Sequence, residues 1–261
     1  MQPNQDIVSL LETTATKMNQ PDFIESDPVK FPRLFSDIRD IEIVSLLVSA
    51  IAWGNRKMIL RNADRMLTLM EHSPYHYIMD GGYEELENGQ NIHRTFFTDN
   101  LKHFLRGLHK IYSKYDTIDS MIKKLAVNRE EYVPWRLAEI INTELREANA
   151  GYADSRCLPV DTSKSALKRL NMAMRWLVRD DGIVDLGVWS SLKPSQLFIP
   201  LDVHVGDVSR GLGLLERRSN DRKAVIELTE CLRTLRPEDP TFYDFALFGI
   251  GVTGEKSNLF C

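Results

Sequence analysis

The stretch TSKSALKRLNMAMRWLVR, Thr162–Arg179, separates apolar and cationic side chains onto opposite sides of a helix. At about 100° per residue, with Lys164 at zero, Arg175 falls near 20°, Lys168 near 40° and Arg179 near 60°. Leu167, Leu170, Ala173, Met174, Leu177 and Val178 fill roughly 180° to 320°, with Arg169 between the two faces. No acidic residue interrupts the run. The spacing predicts one packed face and one positive face. The positive face is either a solvated surface or a contact for a phosphate backbone, where each neutralised phosphate releases counterions.

Similar spacing runs through most of the chain, and few segments alternate as strands do, so the sequence is read as all-α. Helices are expected at 5–18, Asp40–Ile51, Asn55–Glu71, Thr98–Tyr115, Thr117–Ala126, Pro134–Glu147, Val203–Gly211, Asp221–Leu235 and Pro240–Ile250, with a short one at Gly187–Ser191. Asp40–Ile51 is apolar nearly all round and reads as buried, and Gly54 suits its stop. Pro21, Pro28 and Pro32 mark a connection that no regular helix could contain. His72–Gly89 is turn-rich, and Gly151–Asp161 is a loop.

The 261 residues are 43% apolar and 27% charged, which excludes a disordered, collagen-like or disulfide-framework chain. The net charge of −4 argues against a whole-surface nucleic-acid binder but leaves a local basic face possible. No apolar run is long enough to span a membrane. Met1–Asp6 has no basic run with an apolar core behind it, so a cytoplasmic protein is expected, with Cys157, Cys231 and Cys261 as reduced thiols.

A second signal is FIPLDVHVGDVSR, Phe198–Arg210. Pro200 holds the approach extended, and Asp202 is set to cap the helix that follows. Asp202 is then either a cap alone or a cap whose carboxylate also serves a reaction. His204 touches a phosphate or packs.

The run LDVHVGDVSRGLGLL, Leu201–Leu215, resembles the Asp-containing signature of the helix-hairpin-helix DNA glycosylase superfamily, with Asp202, His204, Val205 and Arg210 in similar places and Val203 for the usual Thr. SALKRLNMAMRWLVR, Ser165–Arg179, resembles the Lys-bearing helix of its lyase-type members, with Lys168 at the position of their nucleophile. Ile41–Asn55 is similar to the buried helix whose end lines their base pocket, and Asp221–Gly251 to their closing helices. From about residue 30 to 252 the chain also resembles a bacterial family of unknown function carrying the same Lys and Asp motifs. It departs from the superfamily in three ways. Pro159–Ser163 stands where a Gly-x-Gly hairpin is usual, which leaves open whether backbone amides grip phosphate there. The interval from Lys168 to Asp202 is longer than in most members, although an archaeal oxoguanine-directed branch also has a long insertion. The four-cysteine iron–sulfur pattern is missing.

The resemblance implies two interleaved helical lobes, residues 1–55 with 200–261 and residues 56–199, with a cleft between them. It implies a base-excision DNA glycosylase with abasic-site lyase activity, acting on damaged duplex DNA that contains an oxidised purine. Lys168 would attack the sugar carbon as a free amine, a form favoured by burial and by Lys164, Arg169 and Arg175, and Asp202 would support the positive charge that develops. Trp53, Asn55 and Trp176 are the candidates for base recognition. Trp53 stacks or packs in the core, Asn55 reads a base edge or caps a helix, and Trp176 is core or pocket wall. Lys164, Arg169, Arg175, Arg179, His204 and Arg210 are the phosphate-binding candidates.

No cofactor is expected. His72 and His76 are separated by Pro74, no HExxH occurs and no Cys pair has zinc spacing, so no metal is expected either. Gly211-x-Gly213 and Gly249-x-Gly251 lack the strand–turn–helix context of a dinucleotide site. The rival reading is a non-catalytic helical module that binds nucleic acid or protein, and RNA or a free nucleoside remains open as substrate. A monomer is the favoured state.

Overall fold

The computed structural model describes residues 4–253, so Cys261 lies outside the described residues. The fold is all-α. Its helices are α1 (Gln5–Met18), α2 (Pro21–Ser26), α3 (Ile38–Ile51), α4 (Arg56–Leu69) and α5 (Pro74–Met79). A small hairpin, β1 (Asn91–His93) and β2 (Phe96–Phe97), precedes α6 (Thr98–Tyr112), α7 (Ile118–Lys124) and α8 (Val133–Ala148). The chain closes with α9 (Lys168–Val178), α10 (Val203–Gly211), α11 (Arg222–Leu235) and α12 (Asp244–Thr253). No helix among the described residues is long and apolar enough to cross a membrane.

Helix α3 is the core. Asp37 caps it by accepting from the Arg39 amide at 2.8 Å, and every residue from Ile41 to Ile51 is buried. It packs against α9, while α1 packs against α12 and α6 against α8. The first and last helices therefore lie together. Glu42, fully buried on α3, accepts four hydrogen bonds: from Tyr112 Oη (2.9 Å), the amides of Ile118 and Asp119 (2.9 Å each) and Trp189 Nε1 (2.8 Å). One carboxyl thus joins α3, α6, the first turn of α7 and the 183–199 connection. Burial pushes its pKa up to about 7 against the pull of those donors.

Several expected elements take a different form. Pro21, Pro28 and Pro32 each open a helical turn at its first position, α2 and two 3₁₀ turns, because a missing N–H costs nothing there. The turn-rich stretch His72–Gly89 contains α5 and a 3₁₀ turn. Gly187–Ser191 is not helical. Its end is pinned by Asp119, whose carboxylate accepts from the amides and hydroxyls of Ser190 and Ser191. Its beginning satisfies the last turn of α9: the Leu186 amide donates to Trp176 O at 2.8 Å and the Trp189 amide to Leu177 O at 2.7 Å.

The helix expected from Thr162 begins only at Lys168. Asp161 takes the amide and hydroxyl of Ser163, Trp135 Nε1 donates to Ser165 O at 2.9 Å, and Leu167 is left-handed at φ 47°. The Thr-Ser-Lys-Ser run has partners that compete with a helical ladder, so it stays outside the helix.

Candidate active site

The start of α9 and the start of α10 meet at one cavity of about 380 Å³. Lys168 is the first residue of α9 and Asp202 the N-cap of α10. Lys168 Nζ lies 3.8 Å from Asp202 Oδ2 and 3.6 Å from Met172 Sδ. The two side chains are 28% and 37% exposed, so the pair is open to the cavity and still reachable from solvent. Asp202 divides its oxygens: Oδ1 accepts from the Val205 amide at 3.0 Å, while Oδ2 faces the lysine. The carboxylate is held in place by the helix it caps.

Other helix starts share this cavity. Arg56 at the head of α4 and Asp244 at the head of α12 line it, with Phe23, Trp176, Phe245 and Phe248 as aromatic wall. Phe23 meets Phe245 and Phe248 edge to face, at 5.4 and 5.8 Å between centroids. Arg56 Nη2 is 2.5 Å from Asp27 Oδ2, and its guanidinium lies 5.2 Å from the Phe248 ring centre. Burial pushes the Asp244 carboxyl up, against the pull of Arg175 and Lys168. Sequence reasoning missed Phe23, Arg56, Asp244, Phe245 and Phe248. Only the spacing of 244, 245 and 248 along one helix face gave a local hint.

The expected cationic stripe does not exist as a surface. Arg175 and Arg179 are buried, at 4% and 2% exposure, and bind carboxylates. Arg175 donates to Asp244 and lies 3.4 Å from Asp185; Arg179 pairs with Asp185 and donates to Asp239 at 2.9 Å. Desolvation works against both cations, but Asp185 and its fellow carboxylates outweigh it and raise both pKa values. These two arginines are struts of the core and are not available to phosphate. Helical angle alone could not separate them from Lys168, because the carboxylates come from distant segments.

Arg210 is likewise turned inward. Its Nε donates to Arg217 O at 2.8 Å and its Nη2 to Asn220 Oδ1 at 2.5 Å, while Asn220 Nδ2 donates to the Asp202 carbonyl at 3.1 Å. Arg210 therefore steadies the Asp202 turn. His204 is exposed and lines the cavity. Lys164 is exposed on the connection before α9, and Arg169 lines two other cavities, one of them shared with Lys168. Of the three cations expected to crowd Lys168, Lys164 is off the helix, Arg169 lines other cavities and Arg175 is neutralised by Asp244 and Asp185. The lysine amine is paired instead with the Asp202 carboxylate.

Trp176 is a wall of the cavity, fully buried, with no hydrogen-bond partner at Nε1 among the described residues. Trp53 does not line this cavity. Its carbonyl accepts from His93 Nε2 at 2.9 Å, and its ring packs against His93 and beneath Arg94, beside a second cavity. Asn55 uses Oδ1 to cap α4, accepting from the Met58 amide at 3.1 Å, and is absent from the cavity wall. Among the described residues, no group of three or more His, Cys, Asp and Glu side chains could hold a metal ion.

The arrangement is an all-helical scaffold with a lysine amine and an aspartate carboxylate at the mouth of an aromatic cavity. Residues 27–253 match a family described as "Protein of unknown function (DUF2400)", and the chain belongs to that family. No curated protein and no solved structure matches it.

Proposed function

We propose that this protein is a base-excision DNA glycosylase with abasic-site lyase activity, working on an oxidised purine flipped from duplex DNA. One observation carries the reading: Lys168 Nζ and Asp202 Oδ2 stand 3.8 Å apart at a cavity of about 380 Å³, within the ordinary range for small-molecule sites. The motif resemblance supplied both residues from segments far apart in the chain, and the fold brings those two side chains together. The apolar, aromatic wall suits an extruded base.

In this mechanism Asp202 accepts a proton from the Lys168 ammonium. The free amine forms a bond to the sugar C1′ while the glycosidic C1′–N bond breaks, and the base leaves with that electron pair and is then protonated. Ring opening gives a protonated Schiff base at C1′. Loss of a C2′ proton to a base then expels the 3′ phosphate by β-elimination, and water releases the lysine.

The test is borohydride trapping on duplexes carrying oxidised guanine or an abasic site. Wild type should form a covalent adduct and Lys168→Ala should form none. Asp202→Asn, which can still accept from the Val205 amide, should keep the fold and trap at least about tenfold more slowly. No adduct with wild type on any lesion, or equal trapping by Lys168→Ala, would remove the proposal.

A further inference from the structure

Arg169 is a half-buried cation with no anion. Its Nη1 donates to Ala50 O at 2.8 Å and to Arg156 O at 2.7 Å, which anchors the head group. No carboxylate lies within 4 Å of it among the described residues, nor of Arg94, Arg156 or Lys164. Partial burial of a guanidinium favours an anionic partner. Carbonyl oxygens orient it without cancelling its charge. Desolvation pushes Arg169 down and the like charge of Arg156 adds to that, opposed only by Cys157.

Two cavities share this residue. One, of about 320 Å³, has Arg156, Thr95 and Trp53 in its wall, with Arg156 Nη1 donating to Thr95 Oγ1 at 3.2 Å. The other, of about 330 Å³, is lined by Lys164 and Lys168. Lys168 lines both this cavity and the reaction cavity. Arg94 extends the cationic strip over Trp53, 4.7 Å from its ring centre.

We infer that Arg169, flanked by Arg156 and Lys164, is a phosphate-binding site that holds successive phosphodiesters of one nucleic-acid strand and leads that strand to the Lys168–Asp202 cavity. This rests on the nucleic-acid part of the proposed function and not on its Schiff-base chemistry. An overall net charge of −4 makes a strip of unpaired cations a local feature, suited to a polyanion laid along it.

The experiment is fluorescence anisotropy with a labelled, undamaged 20-base-pair DNA duplex over a range of salt. Arg169→Gln should bind roughly tenfold more weakly and lower the slope of log K against log salt by about one, whereas Arg169→Lys should keep most of the slope. Arg156→Ala and Lys164→Ala, at exposed positions, should each weaken binding several-fold with an unchanged melting temperature. Lys168→Ala should still bind. Binding within twofold of wild type for both Arg169→Gln and Arg156→Ala would overturn the inference. So would displacement of the DNA by polyglutamate as effective as by unlabelled DNA, because the strip would then be a site for acidic protein segments. If wild type traps no adduct but binding depends on Arg169, the strand site stands and the lyase falls. If trapping occurs and Arg169→Gln binds normally, the strand site falls alone.

Discussion

Glu42→Gln isolates a fully buried carboxyl that accepts four hydrogen bonds. The folded Glu42 has a pKa raised from 4.5 to about 7, so the native state holds this proton more tightly than the unfolded chain. Unfolding therefore releases protons, and the contribution to stability is full below pH 4.5 and lost as pH rises through 7. The gap between those two values amounts to about 3 kcal/mol at about 1.4 kcal/mol per pH unit. Glutamine cannot titrate. Its amide also turns N–H groups toward donors that Glu42 accepts, so one of the Ile118, Asp119 or Trp189 N–H groups loses its partner, at about 1–3 kcal/mol. Urea unfolding followed by far-ultraviolet circular dichroism should find the variant less stable near pH 5, with the gap closing by about 2.5 kcal/mol on the way to pH 8. Taking the difference from wild type cancels the other titrating groups. Parallel stability curves for the two proteins from pH 5 to 8 would refute the reasoning, as would a gap that widens with pH.

Arg179→Met should leave the buried Asp185 with only Arg175 as a cationic partner and cost about 3–5 kcal/mol, read as a fall in thermal midpoint or as loss of folded protein. Gly187→Ala places a methyl 2.4 Å from Asp180 Cβ at a φ of +62° and should lose more than about 1 kcal/mol in urea unfolding. Asp221→Ala removes the cap on α11, which accepts from the Ala224 amide at 3.1 Å, and should cost about 1 kcal/mol at pH 7. The hydrogen bond from Arg217 holds Asp221 down at about 2, so its stabilising contribution is present above 3.8 and the difference between variant and wild type should vanish as pH falls through 2.

Local physics made most of the helices readable. Asp40–Ile51 is apolar nearly all round, which marks it as buried, and Asn55, Asp202 and Asp221 are cap residues standing one position before their helices. The failures are long-range. Leu167 breaks the expected helix because Trp135, thirty residues earlier in the chain, takes the Ser165 carbonyl. Arg175 and Arg179 leave the surface because Asp185, Asp239 and Asp244 arrive from later segments to neutralise them. No spacing rule on one helix contains that information. The hairpin Asn91–Phe97 was missed because its strands are too short to show alternation, and its His93 is what braces the Trp53 carbonyl.

The cavity gains a further property from the way its charged residues are delivered. Arg56, Lys168 and Asp244 are the first residues of α4, α9 and α12, and Asp202 is the N-cap of α10, so four helix starts open toward one space. Each helix start carries partial positive charge from amides that its own ladder does not use. Asp202 answers that charge at α10, and Asp244, held by Arg175, answers it at α12. Helix α9 has Leu167 at its N-cap position and so no side-chain cap. An anion that forms only as a bond breaks, such as a departing base, would enter a field already set by fixed dipoles, with no reorganisation cost at the moment of cleavage. The same uncapped end lies beside Lys164 and Arg169, so the amine end of α9 attracts negative charge on both of its sides. Along α9 the charges are therefore met differently at the two ends: Asp202 faces Lys168 at the open start, while Asp185, Asp239 and Asp244 neutralise Arg175 and Arg179 in the core.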